Sequence, residues 1–380
     1  MAVTTIDPNN RLIQFTRDIN REYVRGNLFS PYMGTALNSI IRIRMELKAG
    51  GEDMNIPLVT RLTGVGVATG TLVGNEEKID NYGMRLRMEW ARHAVVTNKR
   101  ENQLDSADVF GEARPLLQDW GQELQRDELI AAFMALPTET LPTSGGGVRV
   151  NGILYDLATA GQRNTWNTDN SDRILYGNST ANFNAVHATA LANVDTTNDT
   201  MTARNLSLLK RVAMNANPKI RPFKTDNGYE YFVAFMGTNP FRDLKISLET
   251  INKDARPREQ NGVDKNPLFQ DGDQIYDGVI ARMVPEISQF VTSVWTTLLT
   301  AGAASARVEP VFLCGQQAAV FGWGQMAKPT TRTETDYGFI TGSGIEMAYG
   351  VGKMFKKHPN TGTVLKQWGV ATGFFASASD

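Results

Sequence analysis

The sequence holds 380 residues, with 39 lysines and arginines against 40 aspartates and glutamates and 41% apolar side chains. That is enough for two or three domains with cores of their own, and so even a charge balance argues against a dedicated nucleic-acid binder, which carries a strong basic excess. One cysteine, Cys314, excludes an intramolecular disulfide and a cysteine-built zinc site; MAVTTIDPNNRLIQFTRDINREY holds no apolar h-region of a signal peptide, and no apolar run approaches the ~18 residues of a membrane span.

Residues 1–48 interleave basic and large apolar side chains: Arg11, Phe15, Arg17, Arg21, Tyr23, Arg25, Phe29 and Tyr32. No helical stripe is sustained before about residue 36, after which TALNSIIRIRMELK reads as a short helix or strand. An arm with several aromatics and no core of its own must dock, either on its own body or on a neighbour. In residues 49–96, Tyr82, Met84, Leu86, Met88 and Trp90 alternate with Gly83, Arg85, Arg87 and Glu89, the period-two pattern of a half-buried strand. MNIPLVTRL, residues 54–62, is its expected antiparallel partner. Between them TGVGVATGTLVG is too long for a tight hairpin and predicts an extended flexible loop. Gly64, Gly66 and Gly70 do not make a phosphate cradle, because a dinucleotide fingerprint must open a helix and here a strand follows. Arg61 on one side of the loop and Glu76 and Glu77 on the other suit polar contacts across a subunit boundary.

Residues 105–136 predict the longest helix. Val109, Ala113, Leu116, Leu117, Trp120, Leu124, Ala131 and Met134 fall on one stripe, with Arg114, Gln118, Gln122, Gln125 and Arg126 opposite. Pro115 places the true start near Arg114, behind a separate short turn, and Pro137 ends the element. Asp127 interrupts the stripe, and the following LIAAFMAL is apolar on every side, so that end is expected to be covered all round.

Residues 137–200 are rich in Asn, Thr and Gly and read as a surface excursion with brief strands, in which His187 is a lone polar surface residue. Residues 200–325 read as an α/β unit: a helix with Leu206, Leu209 and Ala213 on one face behind Thr200 or Thr202, the continuous apolar strand YEYFVAFM, a helix begun by Asn239 and Pro240, and strands DGVIARMVPEI and RVEPVFLC. Cys314 closes the last of these as packing. In the tail, 326–380, Gly352 and Lys353 imitate a phosphate loop but lack its first glycine and its Ser or Thr. The terminal VLKQWGVATGFFASAS is expected as a strand returning to the body near the long helix.

The order of parts is a docking arm, a long two-stranded loop, a long helix, an α/β unit and returning strands. It is carried by MELKAGGEDMNIPLVTRLTGVGVATGTLVGNEEKIDNYG with WARHAVV, then DWGQELQRDELIAAF, DRILYG, YFVAFMGTNPFRDLK and VEPVFLCGQQAAVFGWGQ. This order resembles the major capsid proteins of tailed bacteriophages, which share the Hong Kong 97-type (HK97-like) capsid fold, and most closely those of N4-like podophages. The resemblance implies an α+β chain divided into an N-terminal arm (1–48), an extended loop (E-loop) with its strands (49–96), a peripheral domain with a spine helix and polar excursion (97–199), an axial domain (200–325) and a return to the peripheral domain (326–380). It implies a structural protein, not an enzyme, without cofactor or metal, that self-assembles into hexamers and pentamers of an icosahedral head around double-stranded DNA. A portal and a scaffolding protein are its implied partners, with a decoration protein as a further one, weak non-specific contact with packaged DNA and no membrane. The virion is its implied location after synthesis in the host cytoplasm. The candidate subunit-interface residues are Arg61, Gly64, Gly66, Gly70, Glu76 and Glu77 of the loop and Phe15, Tyr23 and Phe29 of the arm. The alternative from another class is a soluble α/β enzyme or ligand-binding protein using residues 200–325, against which the sequence offers no metal spacing, no G-x-S-x-G elbow and no intact phosphate loop.

Overall fold

The computed structural model describes residues 26–45, 52–59, 62, 64–79, 81–104, 109–225, 228–254, 273–332, 336–357 and 364–377. Phe29 precedes a single 3-10 turn, Ser30–Tyr32, after which β1 (Met33–Gly34) and β2 (Ile41–Arg44) pair in parallel, so the segment near Ile41 is a strand. β3 (Asp53–Val59) and β4 (Asn81–Arg87) form the expected antiparallel pair, with Met54 opposite Leu86 and Ile56 opposite Met84. The predicted alternation ends at Met88, where the chain leaves this hairpin and enters β5 (Glu89–Asn98) in a different sheet, and Trp90 is consequently exposed.

After α1 (Lys99–Leu104) comes a separate 3-10 turn, Val109–Glu112, and then α2 (Ala113–Met134). Pro115 is its third residue, where the missing N–H is one of the donors that no intrahelical carbonyl would accept. Its 22 residues rise roughly 33 Å at about 1.5 Å each. Ala113, Leu117 and Met134 of the stripe are buried, Trp120, Leu124 and Ala131 are half-buried, and Leu116 is exposed. Arg126, expected on the solvent side, is instead buried. It pairs with Asp127 (2.8 Å), Glu123 (3.2 Å) and Glu286 (3.4 Å), because the helix is already covered on that face where it enters the core. Beyond it Leu129, Ile130, Ala132, Phe133 and Met134 are all buried, as the all-round apolar segment required.

The 137–200 stretch departs most from expectation. It contains β6 (Val150–Asn151), α3 (Ala160–Asp169) behind a Thr159–Gln162 capping box, β7 (Ile174–Tyr176) and α4 (His187–Ala192), and it buries Tyr155, Trp166, Tyr176 and Val194. Its polar side chains act as internal connectors: the Asp199 carboxylate accepts from the Asn178 N–H (2.7 Å) and the Asp195 N–H (3.0 Å). His187 is likewise buried. Tyr176 Oη donates to Asn167 Oδ1 (2.8 Å) while lying 2.7 Å from His187 Nδ1, and Tyr155 Oη lies 2.9 Å from Nε2. With the Tyr176 proton committed to Asn167, Nδ1–H donates to Tyr176 and the bare Nε2 accepts from Tyr155. Burial, helped by the nearby Arg163 cation, pushes the imidazole down to about 3.

The α/β unit follows the sequence closely. α5 (Ala203–Asn215), capped by Thr202, buries Leu206, Leu209 and Ala213. β8 (Phe223–Lys224) and β9 (Glu230–Met236) lead to α6 (Thr238–Asp254), then β10 (Gln274–Tyr276), β11 (Val279–Met283), α7 (Pro285–Ser293) and β12 (Val308–Cys314). Pro285 stops the strand expected to run to Ile287 and opens α7 in its place. The chain then builds β13 (Ala319–Thr331), β14 (Ile340–Lys353), the small hairpin β15 (Phe355–Lys357) with β16 (Leu365–Gln367), and β17 (Val370–Ala376).

Two sheets result. One runs β1-β2-β13-β14-β5, with β6 beside β14; the other runs β10-β11-β9-β12-β17-β7, with β8 beside β9. The terminal strand returns to the body as part of the second sheet: β17 pairs antiparallel with β12, is buried on both faces, and brings Phe374 into the core that α2 shares. Alternate residues of this second sheet divide its faces. Phe232, Ala234, Met236, Val311, Leu313 and Phe375 meet α5 and α6, while Val233, Phe235, Phe312 and Phe374 join a core shared with α2 and α7. Lys353 is buried where the sheets meet, its Nζ donating to Phe133 O in the last turn of α2 (3.0 Å), and burial lowers it to about 7. No helix among the described residues is long and apolar enough to cross a membrane.

Candidate subunit-contact site

The β3–β4 hairpin has two unlike faces. Met54, Ile56, Leu58, Met84 and Leu86 pack inward with Met88, Val320, Met354 and Phe355. On the other face Asp53 accepts from Arg85 Nη2 (2.6 Å) and Arg87 Nε (2.8 Å), and Arg87 also donates to Pro142 O (2.7 Å). The bond from Arg87 holds the Asp53 carboxyl below its ordinary range, against a smaller opposing effect of burial. This clamp escaped the sequence reading, although Asp53 standing opposite Arg87 in register was its available signal. The hairpin is thus anchored on one face and charge-locked on the other.

Beyond this base the described residues between 62 and 79 form no helix or strand and are exposed. Hydrogen bonds tie the loop to itself. The Gly64 N–H donates to Glu77 Oε2 (2.6 Å) and the Gly74 N–H to Glu76 Oε2 (2.7 Å), so both predicted acids tie the loop's own backbone. Gly66 and Gly74 hold φ of +80° and +87°, a region that a side chain would strain. Gly70 lies in an exposed bend between them. Leu62, Val65, Leu72, Val73 and Ile79 are all exposed, and none of the described residues covers them.

Of the arm, Phe15 and Tyr23 lie outside the described residues, as does Arg61 of the loop. Phe29 is fully buried in the chain's own core, 4.9 Å from the Phe235 ring in an edge-on contact and 5.8 Å from that of Phe133. Tyr32 follows it onto Phe235 at 5.2 Å. The described end of the arm therefore docks on its own body, and the structure gathers Gly64, Gly66, Gly70, Glu76 and Glu77 in one loop while setting Phe29 apart from them. Among the described residues no group of three or more His, Cys, Asp or Glu is placed to hold a metal ion.

An anchored hairpin that carries an uncovered aliphatic loop, on a body of two sheets around one long helix, is the build of a chain that packs against other chains. Residues 10–373 match the profile of the phage capsid protein family. The chain belongs to that family and is a structural major capsid protein of a tailed phage, a component of the virion shell. It is similar to the capsid protein in the cyanophage Pam1 capsid asymmetric unit, at 34% identity over 100% of both chains with a TM-score of 0.84. Its fold also matches those in the capsid of Ralstonia phage GP4 (17% identity, 100% of this chain and 98% of that one, TM-score 0.70) and the head of Helicobacter pylori bacteriophage KHP40 (12%, 98% and 96%, 0.63). No curated protein matches the sequence. Family membership disfavours the alternative of an α/β enzyme or ligand-binding protein.

Proposed function

We propose that the chain is the shell subunit of an HK97-type capsid of the N4-like podophage kind, assembling as hexamers and pentamers into an icosahedral head around double-stranded DNA. In this reading residues 49–96 are the extended loop and its strands, with 49–81 overlapping a neighbouring subunit. α2 is the spine helix of the peripheral domain, and the 200–325 unit is the axial domain at capsomer centres. The observation that carries the reading is the 62–79 loop, whose exposed Leu62, Val65, Leu72, Val73 and Ile79 have no cover among the described residues. Covering such side chains on a neighbour stabilises by about 25 cal/mol per Å² of apolar surface, and the term recurs at every subunit. Relatives solved as a capsid asymmetric unit are in keeping with many copies in contact. Portal and scaffolding proteins, and a decoration protein on the outer face, are the partners this reading assigns, with synthesis in the host cytoplasm.

Negative-stain microscopy of the expressed protein, with and without its scaffolding partner, tests it. Closed shells or ring-shaped capsomers are expected. A monomer that persists at high concentration with scaffold present would overturn the reading.

A further inference from the structure

The two helices on one face of the seven-stranded sheet carry exposed cations that form no ion pair among the described residues. α5 buries Ala203, Leu206, Leu209 and Ala213 and exposes Arg204 and Arg211. Seven residues apart, these two lie on one side of the helix, about 10 Å from each other along its axis. The segment leaving α5 exposes Lys219 and Arg221. α6 meets the start of α5 through the Ala203 N–H, which donates to Ser247 Oγ (3.2 Å), and it exposes Lys245 two residues before that contact.

Among the described side chains, the acids around this face are already engaged. Asp277 pairs with Lys210 (3.0 Å), Glu230 with Lys224 (2.9 Å), Asp243 with Arg242 (3.1 Å), and Asp172 with Arg173 and Lys366 (3.1 Å each). Among the described residues Arg204, Arg211, Lys219, Arg221 and Lys245 form no ion pair. The whole chain has a net charge of −1, so five exposed cations without an ion pair among the described residues gather positive charge on one face. Such a face draws a polyanion. The exposed apolar side chains here, Met214 and Ile246, stand near opposite ends of α5 and make no patch to anchor a protein partner.

We propose that the α5–α6 face is a contact surface for the phosphate backbone of double-stranded nucleic acid. Among the described residues no element of this face projects as a reader of base edges, so the contact is independent of sequence and sensitive to salt. Reading that nucleic acid as the enclosed genome rests on the shell reading above; the binding itself does not.

The test uses the full-length protein before assembly and a fluorescein-labelled, random-sequence duplex of about 30 base pairs, with anisotropy read between 50 and 300 mM salt. Each phosphate neutralised contributes about −0.9 to the slope of log affinity against log salt. Alanine at all five positions is expected to make that slope shallower by about 2 to 4 and to weaken binding at low salt at least tenfold. The pair Arg204→Ala with Arg211→Ala reduces it by about 1 to 2 and serves if the quintuple variant fails to fold. Alanine at Arg92, Lys99, Arg100 and Lys328, exposed cations of the other sheet and of α1, leaves the slope unchanged. Equal losses in both sets, no duplex binding at 50 mM, or tighter binding of polyglutamate than of duplex would overturn the proposal. Microscopy of the same variants separates the two readings. Shells with an unaltered duplex slope sink this inference alone, whereas the expected slopes without shells sink the shell reading alone.

Discussion

His187 has an ordered place between two tyrosines only while it is neutral. Nδ1–H donates to Tyr176 and the bare Nε2 accepts from Tyr155, so a second proton would displace the Tyr155 hydroxyl proton from its acceptor, and burial holds the imidazole at about 3. The unfolded chain binds that proton near 6.5 and the native one does not. Stability from this site is therefore present above pH 6.5 and is lost as pH falls from 6.5 toward 3, by about 1.4 kcal/mol per pH unit at most. Urea denaturation from pH 7.5 to 4.5 checks this. His187→Gln, which keeps a donor and an acceptor without titrating, is expected to show a shallower acid decline, and an identical decline would assign the acid sensitivity to other groups. Trp120 calls for a smaller magnitude than its central place on the helical stripe suggests. It is half-buried, its ring 4.9 Å from that of His93, at the margin of the core. Trp120→Ala is expected to cost about 1–2 kcal/mol, short of the 3–5 of a fully buried aromatic. A loss of 4 kcal/mol or more in chemical denaturation would show a tighter site than this.

Elements with a strong period were legible in the sequence, and those held by polar connectors were not. The β3–β4 alternation, the α5 stripe and the continuous apolar run of β9 each fixed an element's type, because one period placed a whole face in contact with apolar neighbours. The turn ahead of Pro115 was legible from proline chemistry alone. Residues 137–200 misled because Asn and Asp side chains read as loop formers when their partners are unseen. Asn170, for instance, accepts from the N–H of Gln367, nearly two hundred residues away (2.8 Å). The same blindness to distant partners hid Arg126 and the β12–β17 pairing. The contact loop was half legible. Its glycines and flanking strands were apparent, but not that Glu76 and Glu77 would bond its own backbone. Because those bonds are internal and exposed, replacing residues 64–75 with an Asn-Gly turn is expected to shift stability by less than about 1 kcal/mol, since loop-closure entropy changes slowly with length. Circular dichroism and melting should stay near wild type while microscopy shows absent or distorted shells. Loss of the fold would place the loop in the core, and normal shells would remove it from assembly.

At the scale of the whole molecule, the proposed division into peripheral and axial parts does not coincide with separate cores. Phe133, in the last turn of α2, stacks 5.7 Å from Phe312 and lies 5.8 Å from both Phe235 and Phe29. Phe235 and Phe312 belong to the seven-stranded sheet, yet the same cluster holds Ile41, Phe321, Met347 and Tyr349 of the six-stranded one. Nor is the second sheet made from residues 200–325 alone. Its strands β7 and β17 come from residues 174–176 and 370–376, and β17 lies between β7 and β12. A fragment of residues 200–325 would expose the open side of β12, together with the face on which Val233, Phe235 and Phe312 meet α2. An uncovered edge and an uncovered apolar face both favour aggregation over an independent fold. The full chain is therefore expected to melt in one cooperative transition, the same by far-ultraviolet circular dichroism and by tryptophan fluorescence, while the 200–325 fragment is unstructured or aggregated. Phe133→Ala should lower that single transition as a whole, costing about 3–5 kcal/mol. Two resolved transitions, only one of them moved by Phe133→Ala, would show that the sheets fold separately despite their shared core.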